Sequence, residues 1–159
     1  MPIHCATGFK VALTTGFTRD VADMVLDGVG WRVGPLEDGG MVDALVTADE
    51  VAAGRPAPYM IFRAMERAGV VDVRRVVVAG DTGADLVAGT RSGAGLVAGV
   101  LSGSGSRETL EASPHTHVLP SVVEVLGGPA RSDLRDGAAR ARGVRISPPG
   151  NVIGAPGGA

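Results

Sequence analysis

Val76-Val77-Val78-Ala79-Gly80-Asp81-Thr82-Gly83-Ala84-Asp85 is the stretch that decides the fold. Four small or β-branched apolar residues, broken at Gly80, have the pattern of a strand buried on both faces that runs into a tight turn. Leu86, Val87 and Thr90 then open a helix, so Asp81 and Asp85 fall at the carboxyl end of a strand. In open α/β sheets that edge is where ligands bind.

Upstream, Lys10-Val11-Ala12-Leu13-Thr14-Thr15-Gly16-Phe17 predicts a short buried strand that ends in a hydroxyl pair and a glycine turn. Thr18 suits the N-cap of a helix with Asp20 and Asp23 in its first turns and Val21, Met24, Val25 and Val29 forming its apolar face, stopped by Gly28 and Gly30. Val42 to Val46 predicts a second strand despite Asp43. Pro56 and Pro58 enforce an extended segment, and Pro58 can open a helix whose inner side is Met60, Ile61, Ala64, Met65 and Ala68, ending at Gly69. Downstream of Asp85 the pattern predicts a helix to about Ser92, a strand over Leu96 to Val100, a short helix over Ser106 to Ala112, a small strand at His117 to Leu119 and a last helical turn or two over Val122 to Leu126. Strands alternating with helices predict an α/β fold, a Rossmann-like three-layer arrangement with a parallel sheet between helices. Residues 10–127 form the domain on this reading, and residues 1–9 are an irregular segment. From Gly127 the composition turns to Gly, Pro, Ala and Arg with few larger aliphatics, so residues 128–159 are expected to be a disordered tail.

Composition agrees with one domain of this class. Among 159 residues 45% are apolar and only 3% aromatic, so the core is built from Val, Ala and Leu. A formal charge of −2 supplies no field to attract a nucleic-acid backbone or an acidic membrane surface. No run approaches the roughly 18 apolar residues of a membrane span. Cys5 is the single cysteine, which excludes an internal disulfide and a cysteine-built zinc site and suits a reducing, cytoplasmic location.

Three predicted strand ends carry polar groups suited to one task. Thr14 and Thr15 offer hydroxyls beside turn amides, Arg55 offers a guanidinium fixed by Pro56, and Asp81 with Asp85 offers hard oxygen ligands for Mg²⁺. Successive parallel βαβ units would bring all three to one edge of the sheet. Each group alone has an ordinary structural reading: a turn for the threonines, a solvated surface charge for Arg55, a helix cap and a dipole contact for the two aspartates. Their ordered combination describes a phosphoryl site. Gly103-Ser104-Gly105 lacks the third glycine of a dinucleotide-binding loop, and no Gly-x-x-x-x-Gly-Lys loop is present.

Leu13-Thr14-Thr15-Gly16-Phe17, Gly54-Arg55-Pro56-Ala57-Pro58 and Gly80-Asp81-Thr82-Gly83-Ala84-Asp85 resemble, in order and spacing, motifs II, III and IV of the haloacid-dehalogenase-like (HAD-like) hydrolases. The likeness is to the phosphonatase-like branch and covers about Lys10 to Gly127. The resemblance implies that Thr14 holds a phosphoryl oxygen, Arg55 stabilises phosphoryl charge, Asp81 ligates Mg²⁺, and Asp85 supports the metal or orients the loop. It also implies a small phosphorylated or phosphonate substrate and a reaction through an aspartyl-phosphate. The family's motif I, a central strand ending in Asp-x-Asp, has no match here, because no Asp or Glu precedes Asp20. Nor does a cap domain have one, and Lys10 is the single lysine, at the wrong end of its strand to reach the site.

Without motif I the two strands bearing motifs II and IV would lose their shared neighbour. Each buried backbone group left unpaired costs about 1–3 kcal/mol. Three remedies are open: the two strands close up, Met1 to Phe9 fills the gap, or a partner chain or second copy supplies a strand. The expected function is a phosphonatase-like phosphohydrolase lacking its nucleophile and inactive alone. The alternative is a non-catalytic module that holds phosphate and Mg²⁺.

Overall fold

A computed structural model describes residues 9–127 and 152–154. The elements run β1 (Ala12–Thr15), α1 (Arg19–Gly28), β2 (Ala44–Thr47), α2 (Tyr59–Ala68), β3 (Val77–Gly80), α3 (Gly83–Ser92), β4 (Leu96–Val100), α4 (Arg107–Glu111), β5 (His117–Leu119), α5 (Val123–Gly127) and β6 (Val152–Gly154). All strand pairs are parallel, in the order β2-β1-β6-β3-β4-β5. The expected α/β architecture is thereby present, with each predicted strand and helix of residues 10–127 in place. β2 starts two residues later than expected, since Val42 instead forms a bridge with Val33, and Asp43 turns to bind the Val11 amide (2.8 Å) and Lys10 Nζ (3.0 Å).

The core follows from strand alternation. Ala12, Ala44, Val46, Val78 and Val97 point to one face and pack with Met60, Ile61 and Ala64 of α2 and Leu86 and Ala88 of α3 in a single buried cluster. Their neighbours in sequence point the other way and make two separate clusters. Val11, Leu13 and Leu45 pack under Ala22 and Leu26 of α1, which corrects the expected face of that helix, since Val21, Met24, Val25 and Val29 are exposed, whereas Val77, Ala79, Leu96 and Ala98 pack under Val125 of α5.

The gap between β1 and β3 is closed by none of the three expected remedies. Val152–Gly154, inside the stretch expected to be disordered, forms β6 and enters the sheet between them. Leu13 and Thr14 pair with Ile153 and Gly154 on one side, and Val78 and Ala79 with Val152 and Ile153 on the other. A segment of Val, Ile and Gly can do this because a central slot demands only apolar side chains and backbone donors and acceptors. That expectation is corrected for these three residues; the rest of the tail and Met1 to Gly8 lie outside the described residues.

Candidate phosphoryl site at the carboxyl edge

The parallel sheet brings Thr14, Arg55 and Asp85 to a common place. All three line a small cavity of about 10 Å³, room for a single water, together with Ala57, Met60, Ile61, Val78, Ala79 and Ala88. Thr14 reaches it because residues alternate along β1, which sends Thr14 to the α2 and α3 face with Ala12. Thr15, on the other side, uses its hydroxyl to accept the Phe17 amide (3.2 Å) and so closes the turn. The hydroxyl pair of the sequence therefore divides into one site residue and one turn residue.

Arg55 lies between two loops. Its guanidinium forms a partly buried ion pair with Asp85, and its Nη2 lies 3.4 Å from where a Cβ on Gly16 would stand. The backbone beside it is fixed by Arg91, whose Nη1 donates to the Pro56 carbonyl (3.2 Å), and the Arg55–Pro56 bond is cis. Asp85 sits in the first turn of α3. Its Oδ2 accepts from the amide (3.0 Å) and hydroxyl (2.6 Å) of Thr82, while Thr82 caps the helix by accepting the Asp85 amide (3.3 Å). Gly80 must be glycine here, because a Cβ would stand 2.2 Å from that of Asp85.

Asp81 occupies a different setting. It is buried, and its Oδ2 accepts both the amide (2.7 Å) and the hydroxyl (2.9 Å) of Ser104. The loop after β4 folds so closely over it that a Cβ on Gly103 would stand 2.2 Å from the Asp81 side chain, and one on Gly105 2.0 Å from its carbonyl oxygen. Ser104 is thus a site residue that sequence reasoning missed. The signal was the Gly-x-Gly pattern directly after a strand, dismissed as a poor dinucleotide loop although its glycines serve the close approach to Asp81. Oδ1 of Asp81 accepts no hydrogen bond from the described residues. One hard oxygen left open at a strand's carboxyl end has the chemistry Mg²⁺ uses, since that ion keeps several waters and takes one or two carboxylates. No group of three or more His, Cys, Asp or Glu able to hold a metal occurs among the described residues.

Comparison with known proteins agrees with this architecture. The HAD-hydrolase-like family matches residues 52–125. Phosphonoacetaldehyde hydrolase from Bacteroides fragilis is 39% identical over 119 residues, covering 73% of this chain and 41% of that protein. The Parabacteroides distasonis enzyme of the same name is 42% identical over 85 residues, 54% of this chain and 30% of its own. Among solved structures, a phosphonoacetaldehyde hydrolase-like protein from Oleispira antarctica superposes with a TM-score of 0.68 at 22% identity, over 87% of this chain and 56% of that one. The chain belongs to the HAD-like hydrolase superfamily. Within it, the relatives place the chain on the phosphonatase-like branch, of whose curated members it spans about two fifths of the length or less. Among the described residues no helix is long and apolar enough to cross a membrane.

Proposed function

We propose that this chain is the phosphoryl- and Mg²⁺-holding part of a phosphonatase-like hydrolase. The observation behind this reading is the convergence of Thr14, Arg55 and Asp85 on one cavity, with Asp81 at the neighbouring strand end. The Thr14 hydroxyl would donate to a phosphoryl oxygen, and Arg55 would neutralise phosphoryl charge. Asp81 would hold Mg²⁺ through Oδ1, with Ser104 fixing the carboxylate from its other oxygen; the ion would supply Lewis-acid stabilisation of the phosphoryl group. Asp85, whose two oxygens are engaged by Arg55 and Thr82, would orient the cation of the site and reach the metal only indirectly. The substrate class is a small phosphate ester or phosphonate, and a cytoplasmic location fits the single cysteine.

The described carboxylates of the site are engaged as an arginine holder and a metal ligand, which leaves no aspartate for covalent attack on phosphorus. Isolated, the chain is therefore expected to bind phosphate and Mg²⁺ without turnover, as a binding module would. Titration calorimetry with Mg²⁺ and inorganic phosphate, beside a phosphate-release assay on small phosphoesters and phosphonates, tests this. Binding without release supports the reading. Turnover abolished by Asp81→Ala would restore an enzyme, and no binding of either ion would reject the site.

A further inference from the structure

We infer that Glu50 and Arg67 stand in for a neighbouring strand at the outer edge of β2, and that the edge they cover is a strand-pairing surface for a second copy of this chain. Among the described residues the sheet ends at β2, whose other side is taken by β1. The outer edge is covered by backbone only at its start. Val33 bridges Val42 in parallel, with the Met41 amide donating to the Arg32 carbonyl (2.7 Å) and the Gly34 amide to that of Val42 (2.9 Å). That cover stops before Ala44. The Ala44 amide donates inward to the Val11 carbonyl (3.3 Å), so alternation along the strand turns the peptide groups of Leu45 and Thr47 outward.

Side chains meet those groups where a strand would. The Arg67 guanidinium donates to the Leu45 carbonyl, as a neighbouring N–H would, and Glu50 Oε2 accepts the Thr47 amide (2.9 Å), as a neighbouring C=O would. The two side chains also hold each other, Nη1 to Oε2 at 3.0 Å and Nη2 to Oε1 at 2.9 Å, and Arg19 Nη1 reaches Glu50 Oε1 at 3.5 Å. A fork-to-fork pair fixes the geometry of both partners, which keeps each cap on its backbone group. Beside the pair a groove of about 370 Å³ runs along Ala44 and Leu45 between Val33, Arg19 and Arg67, with room for an incoming backbone.

The strand itself says what fits. Ala44-Leu45-Val46-Thr47 carries neither a charge nor a proline, the features that ordinarily keep an edge from pairing. Turned about a two-fold axis it is its own partner: Leu45 of one copy lies opposite Thr47 of the other, and the outward groups of both exchange N–H···O=C bonds in an antiparallel pair. Neither copy can do this while its guanidinium and carboxylate occupy those groups, and separating the two would leave partly buried charges unpaired. Edge pairing is therefore shut in the parent chain and opens when the pair is removed.

The test combines Glu50→Ala with Arg67→Ala in the full chain and follows it by sedimentation equilibrium and hydrogen exchange. The double variant is expected to dimerise with a Kd below about 100 μM, at least about tenfold tighter than any self-association of the parent chain, and to slow exchange at the Leu45 and Thr47 amides as its concentration rises. Arg19→Ala leaves both edge bonds in place and should behave as the parent does. Arg67→Lys keeps a donor for the Leu45 carbonyl and should associate less than Arg67→Ala. The inference is overturned by a folded double variant that stays monomeric at about 500 μM, by a dimer in which the Leu45 and Thr47 amides exchange as fast as in the monomer, or by a parent chain that already pairs through these amides. Should the double variant not fold, the single variants Glu50→Ala and Arg67→Ala, each of which retains one of the edge bonds, are judged by the same readouts.

Discussion

Asp81 and Asp85 lie four residues apart at the end of one strand, equally buried, and do different work. Asp85 is embedded in the helix start, with both oxygens used by Thr82 and Arg55. Asp81 is gripped from one side by the Ser104 loop and keeps Oδ1 for something else. Burial alone therefore says little about a carboxylate's task. What matters is how many of its oxygens the protein has already claimed, because a fully bonded carboxylate organises structure while a half-bonded one retains capacity for a ligand.

The contrast can be broken by substitution. Asp85→Ala strands a partly buried guanidinium and removes the capping partner of Thr82, so the largest loss is expected there, about 3 kcal/mol, or roughly 10 °C in Tm. Scanning calorimetry that found no change would reduce Asp85 to a surface-like ion pair. Gly103→Ala forces a Cβ onto the Asp81 side chain and should lower stability by about 2 kcal/mol while displacing that carboxylate, visible as weakened Mg²⁺ binding. Should Mg²⁺ affinity hold, Asp81 is not the ligand.

A more exposed pair sharpens the comparison. Glu50 accepts both Arg67 guanidinium nitrogens, at 3.0 and 2.9 Å, and this contact holds its carboxyl down at about 2, against 4.5 unperturbed. Because the folded value is the lower one, the stabilisation is complete above pH 4.5 and is lost as pH falls toward 2. Solvent screening limits it to about 1–2 kcal/mol. Urea titrations between pH 6 and 3 should show that part of the decline vanish in Glu50→Gln; an undiminished decline would assign it to other carboxylates. Ser104→Ala is the mildest change, at about 1 kcal/mol, since the 2.7 Å amide bond to Asp81 survives loss of the hydroxyl. Its signature is a small fall in Tm by thermal melt, and a fall as large as that of Gly103→Ala would mean that the hydroxyl, not the backbone, holds Asp81.

The placement of the candidate site is partly legible in the sequence. Val76 to Ala79 carries the pattern of a buried parallel strand and Gly80 that of a tight turn, whereas the close approach of Asp85 to Gly80 is set by the fold. The order and spacing of Thr14 and Arg55 along the chain predict a shared edge, and right-handed parallel crossovers bring both to one cavity. The partners of each carboxylate were not legible. Arg55 and Asp85 are thirty residues apart, and Ser104 lies twenty-three beyond Asp81. Such pairings depend on loop paths that local composition does not encode.

By itself the sequence determined the alternation of strands and helices over residues 10–127, the Val, Ala and Leu core, and the polar groups at three strand ends. These rest on local propensity and apolar periodicity, which are properties of neighbouring residues. Only the tertiary structure decided which carboxylate stays half-bonded and which strand stands between β1 and β3. Val152–Gly154 gives no local signal of a strand amid Gly and Pro, and it forms one because the otherwise unpaired backbones of two distant neighbours, β1 and β3, supply its hydrogen-bond partners.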